Sequence, residues 1–303
     1  MAYSQSGLIE ATDYNNRATN INNIWGTGSG SNGYGQSTTI SSVAASATVS
    51  ATEWATLVNR LESITFHQSG ATSAISAPTS GSTITFLSTL DTKLAAIITN
   101  KLATLVGRGT AVAPSLTASL ATSWYTTSVK EAYWTFSSTD TVRYYFNAGG
   151  LITSYVSIAG GGTTKATDWN SFLTNQVGTI TLGSNFCSRS GTGGDTLTQN
   201  TSVGYYNLTT TYQTLFSIGS TSVTADYGNN YATVEAKLGG ALGAAGSNVV
   251  YIKYTLYDTA GDLYLDQVSG TTALYCGYTP PETTYLTSTW GTPSITAGTN
   301  TQS

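Results

Sequence analysis

Val129-Lys130-Glu131-Ala132-Tyr133-Trp134-Thr135-Phe136 is followed by Thr141-Val142-Arg143-Tyr144-Tyr145-Phe146, by Asn147-Ala148-Gly149-Gly150 and by Leu151 to Ile158, and this run decides the fold class. Its apolar segments have strand length and carry the aromatic and β-branched residues that fit a pleated surface. Asn-Ala-Gly-Gly between two such segments is turn chemistry, so 141–146 and 151–158 are expected to form a hairpin. Further strands are predicted at Thr179–Leu182, Val203–Asn207, Gln213–Ile218, Tyr231–Leu238, Val249–Tyr257 and Thr272–Cys276, most of them bounded by Gly, Asn, Asp or Ser clusters. Short strands with frequent turns predict an antiparallel sandwich, decorated by a helix near Asp168.

Upstream the period changes from two to about 3.6. Ala11-Thr12-Asp13-Tyr14, Ala51-Thr52-Glu53-Trp54 and Ala166-Thr167-Asp168-Trp169 form a short internal repeat. Thr suits a helix N-cap, the acid complements the helix dipole, and the aromatic begins an apolar stripe. The stripes read Tyr14, Ala18, Ile21, Trp25; then Trp54, Leu57, Val58, Leu61, Ile64; then Trp169, Phe172, Leu173, Val177. These spacings put each set on one helix face, expected to be core. A further helix is predicted from about Phe86 to Val106, through Leu87, Leu90, Leu94, Ile97, Ile98, Leu102 and Leu105, with Gly107 and Gly109 as its stop. The expected class is α+β. A small helical module with Gly/Ser-rich loops (1–109) is followed by a linker (110–123), a β-rich, antiparallel sandwich domain (124–278) and an extended C-terminal arm (279–303) entered through Pro280-Pro281. That arm either lies across a neighbouring subunit or frays.

Composition narrows the function. Of 303 residues only 9% are charged, about three in ten are Ser or Thr, and Tyr (20) and Gly (32) are plentiful. The 40% hydrophobic content is enough for a core, and a net charge of −4 with scattered Lys and Arg argues against nucleic-acid binding. No stretch reaches the ~18 apolar residues of a membrane span, and the start lacks the basic and apolar regions of a signal peptide, so synthesis in the cytoplasm is expected.

Candidate chemistry is sparse. His67 could be a base or a pH switch, but it sits where a helix C-terminal residue would meet backbone carbonyls. Cys187 and Cys276 are expected to be free rather than paired. Asp258-Thr259-Ala260-Gly261-Asp262 with Asp266 could gather around Ca²⁺, yet reads better as a turn. A glycosidase carboxylate pair has no local motif, and the sequons at Asn200 and Asn207 are incidental in a chain without a signal. No catalytic residue, metal site or cofactor is expected.

Ser6-Gly7-Leu8-Ile9-Glu10-Ala11-Thr12-Asp13-Tyr14-Asn15, Trp25-Gly26-Thr27-Gly28, Gly33-Tyr34-Gly35-Gln36, Val49-Ser50-Ala51-Thr52-Glu53-Trp54 and His67-Gln68-Ser69-Gly70 together resemble the virion structural proteins of tailed bacteriophages, notably those infecting cyanobacteria and other aquatic bacteria. Arg143-Tyr144-Tyr145-Phe146-Asn147-Ala148-Gly149-Gly150, Asp168-Trp169-Asn170 and Gly178-Thr179-Ile180 continue the likeness, which runs from about residue 6 to about 183. The resemblance implies a non-enzymatic particle component present in several copies, in the tail, neck, fibre or capsid surface. Its partners would be copies of itself and other virion proteins, with no nucleic acid and no membrane insertion. Tyr14, Trp25, Trp54 and Trp169 are then assigned to helix docking. Tyr34, Tyr144, Tyr145 and Trp290 are assigned to subunit contacts, because exposed aromatics are favoured at interface cores. The alternatives are a receptor-binding fibre module that recognises a host surface glycan through aromatic platforms and a capsid-surface decoration protein; a polysaccharide-degrading enzyme is a third class, without a motif to carry it.

Overall fold

The computed structural model describes residues 10–81, 83–103, 107–221, 229–259 and 267–303. The chain is α+β and divides into two compact units. The first takes residues 1–109, 143–149 and 281–290; the second takes 110–142, 150–280 and 291–303.

The first unit is built on helices α1 (Ala11–Trp25), α2 (Ala51–Ser69) and α3 (Leu87–Thr99). The repeat marks helix starts, but not through its threonines. Ser50 caps α2: its hydroxyl accepts the Glu53 N–H at 3.2 Å, and the Glu53 carboxylate accepts the Ser50 N–H at 2.6 Å. Asp13 plays the acid's part in α1, accepting the Glu10 N–H at 3.3 Å. Thr12 and Thr52 lie inside their helices, because an acid three residues after the cap can reach back to satisfy an orphan N–H. Ser50→Ala should cost about 1 kcal/mol, read as a lower urea midpoint of the helical circular dichroism signal. At the far end of α2, Gly70 turns left-handed (φ 70°) and donates its N–H to the Phe66 carbonyl at 2.7 Å.

The expected stripes are buried: Tyr14, Ala18, Ile21 and Trp25 on α1; Trp54, Leu57, Val58, Leu61 and Ile64 on α2; Leu90, Leu94 and Ile97 on α3. Arg17 reaches across to Asp91 with two bonds of 2.8 Å, tying α1 to α3. Helix α3 stops earlier than expected, at Thr99 with Asn100 as its cap, while Leu105 and Val106 lie outside the described residues.

The second unit holds two packed antiparallel sheets. Its strands are β1 (Val112–Leu120), β2 (Thr127–Thr135), β3 (Leu151–Ala159), β4 (Ile180–Leu182), β5 (Cys187–Arg189), β6 (Asp195–Gln199), β7 (Gln213–Gly219), β8 (Tyr231–Leu238), β9 (Val249–Tyr257), β10 (Thr271–Thr279) and β11 (Ser294–Gln302). One sheet has the order β1-β10-β3-β4-β5 and the other β11-β2-β9-β8-β7-β6. Period-two alternation turns Ala132 and Trp134, Ile152 and Val156, Val234 and Ala236, and Val250 and Ile252 inward. Three inward polar tips find partners: Trp134 Nε1 donates to the Gly277 carbonyl at 3.1 Å, Trp124 Nε1 to Thr272 Oγ1 at 3.2 Å, and the Tyr254 hydroxyl to the Ser154 carbonyl at 2.9 Å.

Four expectations are corrected. Residues 141–146 are not a strand but part of helix α4 (Thr139–Asn147). Ser138 and Thr141 cap it reciprocally, with Thr141 N–H to Ser138 Oγ at 3.1 Å and Ser138 N–H to Thr141 Oγ1 at 2.9 Å, and Val142, Tyr145 and Phe146 share its buried face. The 110–123 linker contains β1, an edge strand that accommodates Pro114 at a register shift between Val112 and Ser115. The 279–303 arm ends in β11, which pairs antiparallel with β2 of its own chain; its Thr residues are β-branched and suit an edge. Val203–Asn207 is no strand, and Tyr205–Asn207 forms a 3-10 turn.

Helix α5 (Thr164–Ser171) starts at Thr163, whose hydroxyl accepts the Ala166 N–H at 3.2 Å, so the third Ala-Thr-Asp-Trp copy lies within the helix. It continues as a π-helix through Val177. No helix among the described residues is long and apolar enough to cross a membrane.

Candidate functional site

The residues assigned to helix docking separate between the units. Tyr14 and Trp54 meet edge to face, ring centroids 5.3 Å apart, and the Tyr14 hydroxyl donates to the Glu53 carbonyl at 3.3 Å. Trp25 lies under the Arg60 guanidinium, 3.7 Å from the ring centroid. Trp169 belongs to the second unit, 5.0 Å from Trp124 and 5.6 Å from Phe172. These are core aromatics, each holding a helix to its own unit.

The expected exposure of Tyr34, Tyr144, Tyr145 and Trp290 is overturned: they are 1%, 8%, 0% and 2% exposed. Tyr34 sits in a Gly-rich loop that folds back on α1, with Tyr34 N–H to the Ile24 carbonyl at 2.8 Å and Gln36 N–H to the Trp25 carbonyl at 3.0 Å. Its hydroxyl accepts from Gln68 Nε2 at 2.8 Å and donates to the Lys101 carbonyl at 3.2 Å. Gly35 (φ 75°) lies against the Tyr144 ring, where a Cβ would collide. None of these side chains is a surface group that another subunit could grip.

The ordered polar-aromatic surface is elsewhere, on the outer face of the six-stranded sheet. Strand register places Glu131, Lys253 and Glu235 in one row across β2, β9 and β8, and Tyr133, Tyr251 and Lys237 in the next. Lys253 pairs with Glu235 at 2.8 Å. Tyr133 and Tyr251 lie 5.0 Å apart. Tyr212, just before β7, reaches over both rows. Its ring receives the Lys253 ammonium at 4.0 Å and the Lys237 ammonium at 4.5 Å, and its hydroxyl donates to the Glu131 carboxylate. Lys237 also lies 4.8 Å from the Tyr251 ring. Partial burial, the bond to Glu131 and the carboxylate charge push the Tyr212 phenol up, and burial with the Tyr133 neighbour raises Tyr251. Two lysines and two glutamates cancel within the patch, leaving a neutral, half-buried and mutually braced surface. The alternation Glu131/Tyr133, Tyr251/Lys253 and Glu235/Lys237 puts these residues on outward positions, but no sequence motif brought them together.

The other sequence candidates are occupied structurally. His67 is buried in the last turn of α2, its Nε2 3.0 Å from the Ala148 carbonyl, and burial holds its pKa below the usual value. Cys187 and Cys276 are buried and unpaired, and burial pushes their thiols up to about 11 and about 12, far from the thiolate a nucleophile needs. Asp258 forms an ion pair of 2.7 Å with Lys165, while Asp262 and Asp266 lie outside the described residues. Asn200 Nδ2 donates to the Thr214 carbonyl at 2.7 Å, and Asn207 Oδ1 accepts the Gly204 N–H at 3.3 Å. Among the described residues, no three His, Cys, Asp or Glu gather as metal ligands. Three clefts of about 330, 350 and 410 Å³ are walled by Ser, Thr, Ala, Gly and a few larger side chains, with Lys93 their one ionisable group among the described residues. No family model matches the chain, and no curated protein or solved structure matches it either.

Proposed function

We propose that this chain is a non-enzymatic structural component of a tailed-phage virion, in its tail, neck or fibre, working through contacts with copies of itself and with other virion proteins. The observation that carries the reading is the braced tyrosine face of the six-stranded sheet. Its side chains are already held by one another, so docking a partner there costs little additional side-chain entropy. Tyrosine-rich, charge-neutral surface is interface-like in composition. The ionisable groups Arg17, Asp91, Lys165 and Asp258 are engaged in intrachain pairs, consistent with structural rather than chemical work.

The test is purification of particles followed by mass spectrometry and density assignment. The chain should be present in several copies, and Lys237→Glu with Lys253→Glu should lower its incorporation severalfold while leaving the circular dichroism spectrum unchanged. Particles that contain none of it would end the reading. The same face favours a second reading, since tyrosine rings beside lysine and glutamate can stack on and hydrogen-bond sugar rings. That version predicts saturable binding of the purified chain to host envelope polysaccharide, lost in Tyr251→Ser; a purely structural part gives none.

A further inference from the structure

Lys130 stands on the inward side of β2, in line with Ser128 and Ala132, and is fully buried. Among the described residues no ion pair neutralises it. Its partner is instead an amide: Lys130 Nζ lies 2.5 Å from Oδ1 of Asn300 on β11, well inside the ~2.9 Å typical of an N–H···O bond. A buried ammonium facing one neutral amide is costly to retain.

The sheet is adjusted to create this meeting. Along the β11–β2 ladder Ala297 opposes Ala132, while Asn300 opposes Lys130, so β11 uses one residue more than β2 between the two pairs. Without that bulge Thr299 would face Lys130. Bulges re-aim side chains in this way. Asn300 Nδ2 donates to the Ser119 carbonyl of β1 at 3.2 Å, which fixes the amide plane and holds its nitrogen away from the lysine. Burial lowers the Lys130 pKa to about 8, so an appreciable share is free amine near neutral pH. A desolvated lysine amine is an activated nucleophile, and the bond to Oδ1 keeps Nζ beside the amide whose Cγ it would attack, so no diffusional encounter is needed.

We propose that Lys130 and Asn300 join spontaneously in an intramolecular isopeptide bond that locks the last strand of the chain to β2. Nζ of the neutral lysine bonds to Cγ of Asn300, the Cγ–Nδ2 bond breaks, one proton passes from Nζ to Nδ2, and ammonia departs. Atoms and charge balance without an oxidant or co-reactant, and escape of ammonia makes the step effectively irreversible. The bond would close a covalent loop between residues 170 positions apart, so β11 could not peel from the sheet edge under load or proteolysis. The inference does not rest on the particle assignment.

Intact-mass spectrometry of the denatured full-length protein reads this directly, and needs no variant to be stably folded. Wild type should be lighter than its sequence requires by one ammonia. Lys130→Arg and Asn300→Ala should each carry their full sequence mass, and a protease digest of wild type should yield a branched peptide joining positions 130 and 300. A wild-type protein that keeps its full mass after prolonged storage overturns the proposal. So does an ammonia loss that persists in Lys130→Arg, because it would come from succinimide formation at an asparagine instead.

Discussion

Asp258→Ala is expected to destabilise the β-rich unit by about 3–5 kcal/mol, the usual cost of stranding one partner of a buried ion pair. Lys165 and Asp258 meet at 2.7 Å with side chains 2% and 0% exposed. The comparison that isolates burial is Lys253–Glu235, which has nearly the same separation, 2.8 Å, with side chains 23% and 22% exposed. Glu235→Ala should cost under about 1 kcal/mol, because solvent screens that pair. Replacing both buried partners, as Lys165→Met with Asp258→Leu, should recover most of the loss, since two apolar groups leave no charge to desolvate. Urea unfolding followed by tryptophan fluorescence gives all three values. Against a typical total stability of about 5–15 kcal/mol, the single change would bring the unit close to unfolding at ambient temperature. A loss no larger than that of Glu235→Ala would show that water reaches the pair.

The sandwich was legible because its central strands alternate with period two, and the helices because their stripes recur at three and four. What was misread shows where local signals stop. Thr141 to Phe146 carries Val, Tyr, Tyr and Phe, all strand formers, yet Ser138 and Thr141 nucleate a helix and the same residues then fall at i, i+3 and i+4. The reciprocal Ser138–Thr141 cap is a local signal that outweighs the strand propensity of the residues after it. Tyr34, expected at a subunit contact, is buried because Gly33 and Gly35 on either side of it take positive φ (94° and 75°) and fold the loop inward. β11 looked like a tail because Thr, Gly and Asn bury little; its order comes from the ladder that β2 offers. β8 and β9 are neighbours in sequence, but the tyrosine–lysine–glutamate face also needs β2 beside β9, and the Lys130–Asn300 contact needs β2 beside β11; nothing local encodes which of these distant rows meet.

Above pH 10 the protein is expected to lose stability steeply, with tyrosine as the cause. Tyr34 in the helical unit and Tyr254 in the sandwich are buried, and desolvation raises both phenols far above their ordinary value near 10, outweighing the bonds from Gln68 and Ser154 that favour the ionised form. The folded state keeps these protons while the unfolded chain releases them. Below pH 10 both states are protonated and nothing changes. Above it the unfolded chain binds fewer protons, so stability falls as pH rises. Each such tyrosine removes about 1.4 kcal/mol per pH unit, so each unit loses about 3 kcal/mol at two units above 10 from this group alone. Tyr14, pushed up to about 12, adds to the loss in the helical unit. The measurement is tyrosinate absorbance recorded together with circular dichroism. Rings nearer the solvent should titrate first with the structure intact, and a second rise should coincide with the loss of ellipticity. Tyr34→Phe should flatten the alkaline limb of the helical signal, and Tyr254→Phe that of the sheet signal. Complete tyrosine titration in a chain that keeps its ellipticity would mean that hydroxide reaches both rings without unfolding, and the tight packing described around Gln68 and Ser154 would then be wrong.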